Sequence, residues 1–195
     1  MAESGPNIVT VGGSVRPGNY TAMALALVID ELGRLEVPVT HFDPARMTLR
    51  DPGLGTDSPD ARTLQEAVTG ATGIVLATPE YHGGMSSVIK RVIENLGFPS
   101  RLSGKPVALL GVAAGEIGAI KSLEQLRSVC SHVGALVMPG TVSVAHVRDV
   151  FDENGVCTDP RIEKRIRSVA TGLMDYIEQK ICPSIALEAM VRNRD

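Results

Sequence analysis

The sequence predicts an α/β fold, a five-stranded parallel sheet in the order 2-1-3-4-5 with helices on both faces. Three observations predict it. Short β-branched runs alternate with longer amphipathic stretches from end to end. The third run, at 73–78, is apolar throughout, as befits a strand covered on both sides. The chain has 195 residues, a length for one domain, with no internal repeat and no Pro- or Ser-rich linker. Right-handed crossovers leave few topologies for such an alternation, and at this size the order 2-1-3-4-5 is favoured.

Each element has its own reason. Residues 7–12 read as a buried strand ending in glycine. Residues 20–32 follow as a helix with Leu25, Val28, Ile29 and Leu32 on one face. The second strand spans 37–42, where Pro38 points to a strand start or a sheet edge. An Asp-, Pro- and Gly-rich loop at 43–59 is longer than usual, which favours a functional role as a pocket rim. A short helix covers 60–68, the third strand 73–78, and a helix 86–96 carries Val88, Ile89, Val92, Ile93 and Leu96. The fourth strand is 106–112, the next helix 118–133, and the fifth strand begins at 135–138. A last helix at 161–180 presents Ile162, Ile166, Val169, Leu173 and Ile177 as one stripe. The domain is therefore 1–180, with 181–195 as a C-terminal tail that Pro183 separates from the helix. Its Ile185, Leu187, Met190 and Val191 suit an oligomer contact, a frayed tail being the other reading.

Composition excludes several classes. A net charge of -3, from 19 basic and 22 acidic residues, offers no general attraction to nucleic acid. No apolar run approaches the ~20 residues of a membrane helix. Residues 1–7 lack the pattern of a secretory signal, and three well-separated cysteines suit a reducing, cytoplasmic setting. The four histidines have no metal-ligand spacing with one another or with the cysteines, so no metal is expected.

In such sheets ligands bind beyond the carboxyl ends of the strands, near the switch between strands 1 and 3. Three loops lie there. The first, Gly13-Ser14-Val15-Arg16-Pro17-Gly18-Asn19-Tyr20-Thr21, leads into a helix whose free N–H groups favour an anion. Hydroxyls, an amide and a guanidinium suit a phosphate, while a polar turn with Asn19 as N-cap is the simpler reading. Neither GxGxxG nor GxxxxGK[ST] is present, and Gly104-Lys105-Pro106 reads as a turn into a strand. The second loop, Thr78-Pro79-Glu80-Tyr81-His82-Gly83-Gly84-Met85, sets an aromatic, an imidazole and two glycines at the sheet edge. There Tyr81 and His82 suit the flanks of a conjugated ring; rim packing and simple solvation are the alternatives. Glu80 suits a structural pairing with an arginine or a helix N-terminus. The third, Gly111-Val112-Ala113-Ala114-Gly115-Glu116-Ile117-Gly118, lets a planar group lie against the backbone, or simply makes a tight turn.

At these residues the sequence resembles the NAD(P)H-dependent FMN reductase family of flavodoxin-like flavoproteins. The resemblance rests on 13–18, on Thr78-Pro79-Glu80-Tyr81-His82-Gly83, and on the 115–118 turn leading into Gln125-Leu126-Arg127. It covers about 7–177 and implies a three-layer sandwich. It assigns Ser14, Arg16, Asn19, Tyr20 and Thr21 to an FMN phosphate. It assigns Pro79, Glu80, Tyr81, His82 and Gly83 to the isoalloxazine and ribityl chain, and Ala114, Gly115 and Gly118 to the other ring edge. Two departures stand out: Asn19 replaces a common serine, and Ala113-Ala114 lacks a common hydroxyl. The implied reaction passes hydride from NADPH or NADH to flavin N5 and then reduces a second acceptor in ping-pong order. The acceptor is a free flavin, a quinone, an azo compound or a metal ion, with a flavin-dependent monooxygenase as a conceivable partner. No catalytic acid or base is required.

The resemblance also implies pairing around the 86–96 helix, as a homodimer or homotetramer. The rival class is a flavodoxin-like electron carrier, against which stand Arg16 in the phosphate loop and the small net charge. A phospho-receiver would need clustered acids after the first strand, and a serine hydrolase at Ser14 or Ser86 would need a GxSxG elbow; neither is present. Asn154-Gly155 reads as a tight turn after the fifth strand, preceded by His146 and Arg148, which suit solvent first, a neighbouring subunit or a nicotinamide being the other readings.

Overall fold

The computed structural model describes residues 5–55 and 57–183. Strand β1 (Ile8–Val11) lies between β2 (Val39–Phe42) and β3 (Gly73–Tyr81), both parallel to it. Strand β5 (Pro106–Val112) pairs with β3 on its other side. Two short strands complete that edge, β6 (Leu136–Val137) and β7 (Val142–Val144), both parallel to β5. A two-residue strand, β4 (Gly84–Met85), turns back antiparallel onto the end of β3. Pro38 precedes β2, which is an edge strand, as its proline suggested.

The predicted order holds with one correction. The fifth parallel strand is broken into β6 and β7. From Val107 to Leu110 the neighbouring strand advances three residues, while the partner advances five, from Val137 to Val142. The two extra residues bulge out at Pro139-Gly140, where proline offers no N–H to the ladder and Gly140 has φ 74°. The stretch from Val142, which the sequence reading leaves without an element, is therefore strand and then a short helix, α5 (Val147–Val150). The Asn154-Gly155 turn is present, with Gly155 N–H donating to Asp152 O at 3.0 Å.

Helices α1 (Tyr20–Arg34) and α6 (Pro160–Tyr176) cover one face of the sheet. Helices α2 (Pro59–Gly70), α3 (Ser87–Glu94) and α4 (Ile120–His132) cover the other. Strand β3 shows why an all-apolar run is needed: Val75 and Ala77 pack toward α1 and α6, Ile74 and Leu76 toward α2, α3 and α4. The predicted α6 stripe is buried at Ile166, Val169, Leu173 and Ile177. Helices begin on capping side chains, with Asn19, Ser58, Ser86 and Asp159 each accepting a backbone N–H of the first turn. Beyond Tyr176 the helix continues as a wider-turned segment, Ile177–Ile181, where Cys182 N–H donates to Ile177 O. Pro183 therefore ends no helix at 180, since helical backbone runs through it. The tail residues Ile185, Leu187, Met190 and Val191 lie outside the described residues.

The apolar arc on α3 serves the protomer itself. Ile89, Val92, Ile93 and Leu96 are buried, leaving Val88 half-exposed. The large apolar side chain that stands free nearby is Phe98, fully exposed.

Candidate functional site

The carboxyl ends of β1, β3 and β5 bring the three loops to one edge. Gly13 passes so close to β3 that a Cβ there would stand 2.5 Å from Ala77 O, so only glycine fits. Its carbonyl accepts a hydrogen bond from the Ser86 hydroxyl at 2.5 Å, which ties the first loop to the second. Ser86 N–H donates to Thr78 Oγ1 at 3.2 Å, so the same residue also fixes the end of β3. Ser86 is 2% exposed and fully engaged, a structural hinge-pin and no nucleophile.

The first loop curls over the start of α1. Asn19 Oδ1 accepts from Ala22 N–H at 2.8 Å and its Nδ2 donates to Arg16 O at 2.8 Å, so the amide shapes the loop. The backbone N–H groups of Tyr20 and Thr21 have no partner among the described residues, as a first helical turn requires. Thr21 is buried, yet its hydroxyl bonds to no described residue. Ser14 is buried too, its hydroxyl accepting only a long 3.4 Å bond from Arg16 N–H. The Arg16 guanidinium is exposed and pairs with no described acid. The Tyr20 ring turns inward, 6.4 Å from that of Phe151, and leaves its N–H as its contribution to the loop. A cavity of about 280 Å³ opens here, lined by Ser14, Arg16, Asn19, His41 and Asp43 among others.

The second segment departs from the sequence reading. It is a hairpin, since β3 runs on through Pro79 and Glu80 to Tyr81 and pairs Glu80 with Met85 and Tyr81 with Gly84. His82 (φ 51°) and Gly83 (φ 72°) form a two-residue turn with both φ positive. Proline and glycines made this stretch read as loop; the tight turn supplies the pairing that makes it strand. Tyr81 and His82 are exposed at its tip. Glu80 takes the structural role expected of it. Its Oε2 accepts from Ser122 N–H at 3.1 Å, capping α4, whose own N-cap Ala119 has no side chain to do so. Gln125 Oε1 accepts from Met85 N–H at 3.2 Å, holding the hairpin against α4.

In the third loop Ala114 and Gly115 are exposed. Gly115 O accepts from His146 N–H at 3.3 Å. Gly118 (φ 75°) is required by packing, because a Cβ there would stand 2.5 Å from Ser143 Oγ. Ser143 Oγ accepts from Ala119 N–H at 2.8 Å. His146 adopts a left-handed backbone (φ 47°) and lines a separate cavity of about 330 Å³ with Ser143 and Asp149. Gly13–Ser86 thus ties the first loop to the second, Glu80–Ser122 ties the hairpin to α4, and Gly115–His146 ties the third loop to the segment before α5.

Sequence reasoning missed Ser86 as the latch and His41 as a cavity residue. A polar residue before a helix was a readable cap signal for Ser86. His41 depends on strand register, which no local pattern gives. Lys105, dismissed as a phosphate lysine, donates instead to Thr69 O and Ala71 O at the end of α2. A larger cavity of about 890 Å³, near Phe98 and Gly134, lies at the opposite end of the sheet. Among the described residues there is no acid, histidine or cysteine cluster fit for a metal, and no helix long and apolar enough to cross a membrane.

Residues 6–149 match the family model for NADPH-dependent FMN reductases. The chain belongs to the NADPH-dependent FMN reductase family. It is similar to an NADPH azoreductase of Bacillus sp. strain OY1-2, 34% identical over 182 residues, covering 89% of this chain and 96% of that one. A 2-hydroxy-1,4-benzoquinone reductase of Burkholderia sp. is 28% identical over 153 residues, covering 76% and 83%. Among solved structures, a flavoenzyme NAD(P)H:(acceptor) oxidoreductase from Paracoccus denitrificans superposes with a TM-score of 0.71 at 21% identity, over 90% and 98% of the two chains. An FMN reductase of this family is an oxidoreductase that uses FMN and a reduced nicotinamide, as the sequence resemblance implied.

Proposed function

We propose that this FMN reductase holds the FMN phosphate in the first loop and reduces planar two-electron acceptors of the quinone or azo class. The single observation that carries the phosphate assignment is the Arg16 guanidinium, without an acidic partner among the described residues, beside the cavity that Ser14 and Asn19 line. The unpartnered N–H groups of Tyr20 and Thr21 and the unbonded Thr21 hydroxyl suit the same dianion. The hairpin residues Pro79, Glu80, Tyr81, His82 and Gly83 would border bound FMN on one side, and Ala114 and Gly115 on the other. Gly118, packed on Ser143, serves that edge through its backbone turn.

Bound FMN supplies a two-electron centre that takes hydride from NADPH or NADH and passes electrons to the acceptor. The protein's part is to hold and orient. Arg16 and the loop amides fix the phosphate end. The Ser86–Gly13 bond keeps that end at a set distance from the hairpin. Exposed at the hairpin tip, Tyr81 and His82 would leave room beside bound FMN for donor and acceptor to bind in turn, as a ping-pong order needs. Proximity accounts for the acceleration, and no acid–base side chain is needed. The names of the Bacillus and Burkholderia relatives support the acceptor class. One FMN-binding unit over 1–180 acting in the cytoplasm, with its thiols free, completes the proposal.

The test is anaerobic. FMN-loaded protein is mixed with NADPH or NADH, then with a benzoquinone or an azo dye. The proposal expects bleaching of the flavin within seconds by one nicotinamide and rapid return of colour with the acceptor. A flavin bleached only through a protein reductase would make the molecule a carrier.

A further inference from the structure

The cavity at the first loop has a wall that the loop itself does not supply. It is the edge strand β2, whose residue His41 stands opposite Thr10 in the parallel register. His41 Nδ1 lies 2.9 Å from Thr10 Oγ1, and Thr10 is completely buried. The ring is therefore anchored at one nitrogen, and Nε2 has no partner among the described residues. A hydroxyl can accept as well as donate, so Thr10 Oγ1 can hold the ring in its neutral and its protonated form, while the Thr10 backbone favours the protonated one. Asp43 and Arg46 act on the ring from the turn that follows β2. Arg16 shares the cavity from the first loop, and α1 brings to it only Ala22, Met23 and Leu25, which carry no charge.

Resting on the phosphate assignment above, we infer that His41 is a further phosphate-site residue, donating from Nε2 to the FMN phosphate and taking up a proton as it does so. A dianion beside the ring stabilises imidazolium, and the Thr10 anchor spares it any reorientation. The phosphate then has a cation on each side, Arg16 from the loop and His41 from the strand. FMN retention becomes tighter in mild acid, and riboflavin, lacking the phosphate, is indifferent to this ring.

The test follows the His41 imidazole by ¹⁵N NMR across pH in the whole protein, free, with FMN and with riboflavin. Its titration midpoint should rise with FMN and stay in place with riboflavin. An unmoved midpoint, with FMN binding shown by quenched flavin fluorescence, overturns the inference and leaves the FMN site standing. Absence of any FMN binding overturns both. In parallel, His41→Asn should bind FMN about tenfold more weakly than the parent at pH 6, the scale of one charge-assisted bond, with the gap narrowing by pH 8. Equal affinities at both pH values contradict it.

Discussion

The Ser86 hydroxyl donates to the Gly13 carbonyl at 2.5 Å while its oxygen accepts the Ile89 N–H at 3.1 Å. One atom thus caps α3 and latches two chain segments that are 73 residues apart. Ser86→Ala loses the cap and leaves a buried carbonyl unpaired, at a cost of about 2–3 kcal/mol. Denaturant unfolding reads the loss. FMN affinity should fall with it, since the loop no longer sits at a fixed distance from the hairpin; Ser86→Thr, which keeps the hydroxyl, should restore much of both.

Arg16 is exposed and makes no ion pair with a described acid, so it adds little to folding. Arg16→Ala should leave the unfolding midpoint of the ligand-free protein unchanged and weaken FMN by about tenfold to a hundredfold. Equilibrium dialysis compares the two proteins. Equal affinity would remove Arg16 from the phosphate site.

His41 is exposed at the sheet edge, yet partial desolvation of its ring against Thr10 lowers the imidazole pKa, with Asp43 and the Thr10 backbone opposing and Arg46 reinforcing the effect. The unfolded chain then takes up a proton near pH 6.5 that the ligand-free fold resists until lower pH. The resulting contribution to stability is complete above that pH and shrinks as pH falls through 6.5 toward the folded value. Melting temperatures of the ligand-free protein between pH 8 and pH 5 should therefore drop less in His41→Asn than in the parent. Parallel curves would show that the ring is fully solvated in the ligand-free protein.

The three thiols differ sharply in surroundings. Cys130 is buried in the core, which pushes its pKa up to about 12, whereas Cys182 is exposed. A thiol reagent at pH 8 should label Cys182 first, Cys157 slowly, and Cys130 only on unfolding. Mass spectrometry of the labelled peptides gives the order, and early modification of Cys130 would contradict the packing of α4 on the sheet.

Much of this architecture was legible because apolar spacing is local. The stripes on α1 and α6, the all-apolar β3 and the Asn19 cap each lie within one stretch of chain. What escaped depends on partners distant in sequence. The two-residue bulge at Pro139-Gly140 is visible only as a mismatch against β5. The hairpin at Tyr81 needs its β4 partner, and the His41–Thr10 contact needs strand register. How the apolar arc of the 86–96 helix divides also depends on distant partners: the sheet and its neighbouring helices bury Ile89, Val92, Ile93 and Leu96, and Val88 stays half-exposed. The candidate site residues come from loops at strand ends, where such a sheet binds ligands. Two of them keep the structural roles read for them, Asn19 and Glu80 spending their polar atoms on holding helix ends.

The most direct trial is a fluorescence titration of the ligand-free protein with FMN and, separately, with riboflavin. A phosphate clasped by Arg16 and the α1 amides should make FMN bind at least about 100-fold more tightly. Equal affinity for the two flavins would mean that the first loop is a turn and nothing more.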